Sequence, residues 1–303
     1  SGVERVRVAY DRELDEKRYL LNQHPAETFS SVIGRFPVVI CSPEHAPVTS
    51  AGPGERRKFV DLVIAQSNAA YFQSLLEYRR VLKQRNKILL DAKLSGRGAG
   101  RELEPWDEQL AAHGSFLTLR RMRFVEEFQP VIADAYRRVA GEEERPTIAY
   151  RPLARLLDRT SEEEIRVMLL EELREKSAEE ARYGLTLTGP HRDEFSLRIN
   201  GLDLRKYASQ GQHKTFLIAM KIGEFFYLRE RCTETPMLLL DDIFSELDER
   251  RAEHLLRFVE TLSQTFITST NAQTFGERVA FDARNRMYTI RNGAVAPPVE
   301  AAV

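Results

Sequence analysis

The run Met237-Leu238-Leu239-Leu240-Asp241-Asp242 delivers two adjacent carboxylates to the end of an apolar strand. Open α/β sheets bind ligands beyond the carboxyl ends of their strands. There, one carboxylate can hold Mg²⁺, directly or through water, and the next can orient or deprotonate an attacking water. The bland reading is a strand that stops at an acidic turn. A second run, Ala208-Ser209-Gln210-Gly211-Gln212, precedes an apolar helix. A small-residue turn at a helix N-terminus offers backbone N–H groups and the positive end of the dipole. That is a seat for phosphate, with the Ser209 hydroxyl as a further donor. The bland reading is an N-cap in which Ser209 is the capping side chain. The order is phosphate turn, helix, buried strand, Asp-Asp, then Ser245-Glu246-Leu247-Asp248.

These residues need strands and helices to hold them. Val6 to Tyr10 alternates apolar and polar residues, and Arg18 to Leu21 can pair with it. Pro37 to Cys41 is a continuous apolar run, which predicts a strand buried on both faces. From Glu55 to about Val139 the pattern is helical. Tyr71, Leu75, Tyr78, Leu82, Arg85 and Leu89 form one heptad seam, interrupted by Arg85. Gly96 to Gly100 breaks this helix, and a second starts near Pro105, with Leu117, Phe124 and Val131 on its seam and Pro130 set to kink or end it. Thr147 to Tyr150 reads as a strand, and Ser161 as the cap of a helix running to about Tyr183. Strand-like runs at Gly184–Thr188, Phe195–Ile199, Pro236–Leu240, Thr265–Thr270 and Met287–Ile290 then alternate with helices over Thr215–Leu228 and Glu249–Leu262. The tail from Ala294 reads as frayed. Strand–helix alternation at both ends of the chain, split by a helical block, predicts one α/β domain with an inserted arm.

Composition sets bounds on this reading. The 303 residues suggest about two domains at roughly 150 residues each. An apolar share of 42% supports packed cores. With 45 Lys plus Arg against 46 Asp plus Glu, the net charge is −1, which excludes a uniformly basic nucleic-acid coat but not a local basic patch. No apolar run approaches the ~18 residues that would span a bilayer. Two cysteines, Cys41 and Cys232, exclude a disulfide scaffold and point to reduced thiols and a cytoplasmic protein.

The ordered motifs resemble the carboxyl-terminal half of an ABC-type ATPase head of the SMC kind, and more narrowly the RecF family. Tyr207 to Gln212 is similar to the RecF form of the ABC signature. Leu238 to Asp242 is similar to its Walker B strand, with Asp242 where many ABC proteins have Glu, and Ser245 to Asp248 to its D-loop. Gly189-Pro190-His191-Arg192-Asp193, Arg56 to Asp61 and Lys83 to Asn86 resemble further RecF blocks. The resemblance implies an α/β, ABC-ATPase-like head with an inserted helical arm. Residues 1–54 would be the first part of the head, 55–183 the arm, and 184–303 the second half. It implies that Asp241 positions Mg²⁺ and Asp242 aligns the attacking water. Ser209, Gln210, Gly211 and Gln212 would meet the γ-phosphate of ATP held by a second copy. Ser245, Glu246, Leu247 and Asp248 would contact that copy, and Thr268, Ser269 and Thr270 would stand where many ABC heads carry a His. It further implies a DNA repair and recombination mediator that forms an ATP-dependent homodimer on DNA gaps or junctions. Such a protein acts with RecR and RecO to help load RecA.

One motif of the family is missing. The chain contains no G-x-x-x-x-G-K-[ST], and glycines 96, 98 and 100 are followed by Arg101 without the Lys-Ser/Thr pair. In the family that loop precedes the strands that open this chain. The expectation is therefore a chain without its first segment, and little or no ATP binding from these residues alone. The rival readings are a degenerate ATPase kept as a DNA-binding scaffold and an SMC-like head of the overcoming-lysogenisation-defect kind. The short arm and the lack of a nuclease carboxylate cluster argue against the second rival.

Basic residues cluster at Arg56, Arg57 and Lys58, and between Tyr71 and Leu90 of the seam helix at Arg79, Arg80, Lys83, Arg85 and Lys87 against the single acid Glu77. A third cluster is Arg120, Arg121 and Arg123. Such clusters are solvated faces or contacts to DNA phosphates. The resemblance favours DNA for Arg56, Arg57, Lys58, Arg79, Arg80 and Lys83. Trp106 reads as packing for the arm, and the six histidines show no metal-ligand spacing.

Overall fold

A computed structural model describes residues 5–25, 34–96, 100–152, 161–244, 247–270, 279 and 284–296. The chain opens with an antiparallel meander of β1 (Val6–Asp11), β2 (Glu16–Leu21) and β3 (His24–Pro25). Then follow β4 (Val38–Cys41), α1 (Pro47–Ser50), α2 (Pro53–Ser67), α3 (Ala69–Ser95) and α4 (Glu104–Ala140). Next come β5 (Pro146–Arg151), α5 (Glu162–Glu175), α6 (Ser177–Tyr183), β6 (Glu194–Ile199), β7 (Leu202–Asp203) and α7 (Leu204–Tyr207). The last third holds α8 (Gln210–Arg231), β8 (Met237–Asp241), α9 (Glu249–Val259), β9 (Thr265–Thr268), β10 (Ile290–Arg291) and β11 (Ala294–Val295). Strands β4, β8 and β9 form a parallel sheet with β8 central, and β5, β6 and β7 an antiparallel one.

The helical hairpin follows its sequence signals. Asn68 caps α3 by accepting from Tyr71 N–H, and Gly96, at φ 68°, ends it in the left-handed region that glycine adopts freely. Along the seam Tyr71, Leu75, Tyr78, Arg85 and Leu89 are buried, and Leu82 is half-buried. Helix α4, about 55 Å long at 1.5 Å per residue, is the axis of the molecule and packs against α3, α5, α8, α9 and β5. It runs through Pro130 instead of ending there. Phe128, Ile132, Ala135 and Tyr136 bury this stretch. Gln129 pins it to β5, donating to Pro146 O at 3.2 Å and accepting from Ile148 N–H at 2.7 Å. Tertiary burial outweighs the loss of one helical hydrogen bond. Past the proline the buried position is Ile132, with Val131 only half-buried.

Four further expectations are corrected. Ile40 is 44% exposed, so β4 is buried on one face only; among the described residues it is an edge strand of its sheet. The helix from Ser161 breaks at Lys176 before α6 resumes. Gly184 to Thr188 is not a strand. Its N–H groups find partners outside any ladder: those of Gly184 and Leu185 donate to Glu180 O, Thr186 N–H to Asn86 Oδ1 at 2.8 Å and Leu187 N–H to Glu180 Oε1 at 2.7 Å. Its period-two burial comes from side chains packing into the arm, not from a ladder. Met287 to Thr289 carries no strand; the pairing falls later, between β10 and β11, and so includes Ala294 and Val295 of the tail.

Two buried arginines hold arm and head together. Arg121, 2% exposed, donates through Nη2 to Asp61 Oδ1 at 2.8 Å and through Nη1 to Pro190 O at 2.6 Å, with Asp193 Oδ2 3.8 Å away. Tyr71 donates to Asp61 Oδ1 at 2.6 Å, and Tyr150 donates to Asp193. Arg85, 0% exposed, reaches Asp107 Oδ1 at 2.6 Å, Glu180 Oε2 at 2.6 Å and Thr186 Oγ1 at 2.9 Å. Beside the first cluster the turn at Gly189 has φ 116°, and a Cβ there would stand 2.6 Å from the Tyr78 hydroxyl. Only glycine fits. Tyr78 hydrogen-bonds His191 Nδ1 at 2.7 Å.

Arg121→Met should destabilise the fold by about 3–5 kcal/mol, because it strands Asp61 and Asp193 as buried charges. Chemical denaturation would register it as a lower midpoint. His191 supplies a pH test. Burial, with Arg192, Arg57 and Arg121 nearby, lowers its pKa to about 4. The unfolded chain takes up this proton near pH 6.5. The folded state should therefore lose on the order of 2–3 kcal/mol as pH falls from 6.5 to about 4, and nothing more from this group below that. His191→Asn should flatten that part of the stability–pH curve.

Candidate nucleotide site

The parallel register sets Cys41 beside Leu240, and Asp241 beside Thr268. The residues after β4 and β8, and the end of β9, therefore gather at one sheet edge. Asp241 is exposed there and accepts a hydrogen bond from the Thr268 hydroxyl. Asp242 turns the chain at φ 48°, a left-handed conformation that aspartate tolerates better than most residues. Its N–H donates to both Thr268 O and Thr268 Oγ1 at 3.3 Å. One threonine thus holds both positions of the Asp-Asp pair. Thr268 is the last residue of β9, with half-buried Ser269 and exposed Thr270 just beyond.

Helix α8 ends at Arg231, shortly before β8 begins at Met237, and packs against β4. Ser209 is its N-cap: Ser209 Oγ accepts from Gln212 N–H at 3.2 Å, and Ser209 N–H donates to Gln212 Oε1 at 2.9 Å. The capping reading of Ser209 is therefore true of the fold, and it leaves the hydroxyl proton and the first helical N–H groups to face outward. Ser209 and Gln210 are exposed and Gly211 half-buried. Gln212 turns inward, donating to Glu144 Oε1 at 2.9 Å.

Asp248 caps α9 through Arg251 N–H. Leu247 is half-buried against the core. Ser245 and Glu246 lie outside the described residues. Of the basic residues, Arg56 is 7% exposed, bonded to Glu194 Oε1 and Ala51 O at 2.9 and 2.8 Å, so it presents no charge to solvent. Arg57 Nη1 donates to Asp193 O at 2.7 Å. Lys58 is exposed. Arg79, 3.8 Å from Asp61 Oδ2, Arg80, bonded to Glu77 at 2.8 Å, and Lys83 are exposed on α3, with Arg79 and Lys83 one turn apart. Trp106 packs against the core.

The motif reading passed over Ser42, Glu44 and His45, which follow β4 at the same sheet edge. Ser42 Oγ and His45 Nδ1 are 2.9 Å apart, and burial lowers the His45 pKa. Only the β4–β8 pairing, invisible in a linear reading, brings them to Asp241. Among the described residues no cluster of three His, Cys, Asp or Glu could hold a metal by itself, and no helix is long and apolar enough to cross a membrane.

A parallel sheet whose carboxyl end bears Asp-Asp, a helix with a capped N-terminus and an inserted helical arm define an α/β, ABC-ATPase-like head. No family model matches the chain. It is 43% identical over 276 residues to the DNA replication and repair protein RecF of Chloroherpeton thalassium, covering 90% of this chain and 74% of that one. With RecF of Salinibacter ruber it shares 36% over 305 residues, 98% of this chain and 74% of the relative. A solved structure of the recombination mediator protein RecF with ATPrS, from the RecFOR pathway, superposes with a TM-score of 0.83 at 32% identity, covering 96% of this chain and 76% of that one. A RecF–ATP structure gives 0.83 at 30%, covering 98% and 77%. The chain belongs to the RecF family of DNA replication and repair proteins.

Proposed function

We propose that this protein is a DNA repair and recombination mediator that closes into a homodimer around ATP on gapped DNA. The observation that carries the reading is the Asp241-Asp242 pair held by Thr268 at the carboxyl end of a parallel sheet, in a chain of this family that also presents the Ser209-capped end of α8. The similarity to RecF solved with ATP and ATPrS supports ATP as the ligand. Asp241 would hold Mg²⁺. The fit rests on its exposed carboxylate, oriented by Thr268, since Mg²⁺ is commonly bound through one or two carboxylates, waters and the substrate's own phosphates. The ion would neutralise phosphate charge. Asp242 would orient the attacking water. Ser209 and the N–H groups of Gln210 and Gly211 would face the γ-phosphate of a second copy, with 245–248 beside it. Loss of that phosphate would remove the bridge and open the dimer.

In this reading residues 1–54 and 184–303 form the head and 55–183 the arm, which carries DNA phosphates on Arg79, Arg80 and Lys83. No base-reading motif is present, so recognition is of DNA structure. The protein would work in the cytoplasm with RecR and RecO to help load RecA.

Ser209→Asp separates the two roles of this residue. Aspartate caps a helix as well as serine, so the melting temperature should hold, while its charge should repel phosphate and block ATP-driven dimerisation of the full-length protein in light scattering. A variant that dimerises normally would refute the site. Asp242→Asn should keep ATP binding and lower turnover by ~10²–10⁴-fold, read by phosphate release. Exchanging Arg79, Arg80 and Lys83 for Glu should weaken binding to all DNA sequences alike. Each lost phosphate contact should reduce the slope of log K against log salt by roughly 0.9 for duplex DNA. A wild-type salt slope in a folded triple variant would move DNA off this face.

A further inference from the structure

Arg251, three residues beyond Asp248, has no part in the roles given so far, yet its guanidinium, 21% exposed, joins three separate stretches of chain. Nη1 donates to Thr215 Oγ1 at 3.0 Å, and that hydroxyl donates to Gly211 O at 2.8 Å. Nη2 lies 3.8 Å from Glu144 Oε1, the atom that also accepts from Gln212 Nε2 at 2.9 Å. Nε lies 3.4 Å from Asp248 Oδ2. A Cβ on residue 211 would stand in van der Waals contact with Nη1, at 3.4 Å. Glu144 is itself held, accepting from the Tyr136 hydroxyl. The second turn of α8 directly, its first turn through Thr215 and Glu144, the α4–β5 connection and the start of α9 therefore meet on one side chain. A rigid planar fork can serve three directions at once, which a lysine ammonium on a flexible stem cannot.

We propose that Arg251 is a positioning residue that locks Asp248 to the first two turns of α8, so that the two segments facing a second copy move as one body. The proposal rests on the reading of that helix end as a nucleotide seat in trans. Each segment keeps its own cap without Arg251, because Ser209 is capped through Gln212 and Asp248 through a backbone N–H. What is lost is their mutual placement. Arg251 should thus matter for closure and not for the nucleotide bound by its own subunit.

Hydrogen exchange on this chain gives the first test. Arg251→Gln and Arg251→Lys should each speed exchange of the His213–Thr215 and Glu249–Ala252 amides about tenfold, with Phe225–Leu228 unchanged. Asp248→Asn, which keeps the cap, should also speed exchange at His213–Thr215. In the full-length protein both Arg251 variants should weaken ATP-driven dimerisation at least tenfold, leave monomer ATP affinity unchanged, and show no further loss when combined with Asp248→Asn. Unaltered exchange at His213–Thr215, rescue by lysine, or additive losses would overturn the lock. If Ser209→Asp blocks dimerisation and Arg251→Gln does not, the nucleotide seat stands and the lock falls. If neither affects dimerisation, the seat in trans falls, and the role of Arg251 in closure falls with it.

Discussion

The buried pair of Arg121 and Asp61 is the constraint on which the arrangement depends. Removing two charges from water is costly, and their attraction offsets that cost only with good geometry and further hydrogen bonds. Here the bonds come from Tyr71, Pro190 O and the nearby Asp193, which belong to the arm and to the turn leading into β6. The pair therefore stabilises only when three regions distant in sequence are already assembled. It specifies how they sit more than it adds cohesion. Apolar packing along α4 provides the cohesion.

Much of the local structure of the candidate site was legible in the sequence because its signals are local. An apolar run ending in Asp-Asp, a Ser-x-x-Gln cap and a heptad seam each lie within a few turns of chain. The seam also announced its own exception, since an arginine at a core position must find carboxylates, and Arg85 finds Asp107 and Glu180. The polar interior was not legible. Arg56 and Arg121 sit in runs of basic residues whose spacing is that of a solvated face, and their burial is decided by Glu194 and Asp61, 138 and 60 residues away. Gly184 to Thr188 misled for the same reason: alternate burial looks like a strand whether its amides meet another backbone or the side chains of Asn86 and Glu180.

Ser209 teaches a different lesson. Its capping role and its proposed ligand role use the same geometry, because a helix that presents N–H groups to an anion must first have its end organised. The structural reading and the functional one were never alternatives. Observing the cap removes neither, and only a side chain that preserves the cap while reversing the charge tells them apart.

The side-chain bonding of 184–188 has a consequence for how the molecule can be divided. A segment held in a sheet keeps its partners when a neighbouring domain is cut away. This one takes its partners from Asn86 on α3 and Glu180 on α6, and the turn after it is clasped by Arg121 on α4. Severing the chain on either side of the helical block would leave unpaired amides on one fragment and unpaired acceptor oxygens, of Asn86 and Glu180, on the other. The arm is thus inserted in sequence but not modular in heredity. Exchange of this block between relatives would succeed only if the residues of the clasp travelled with it.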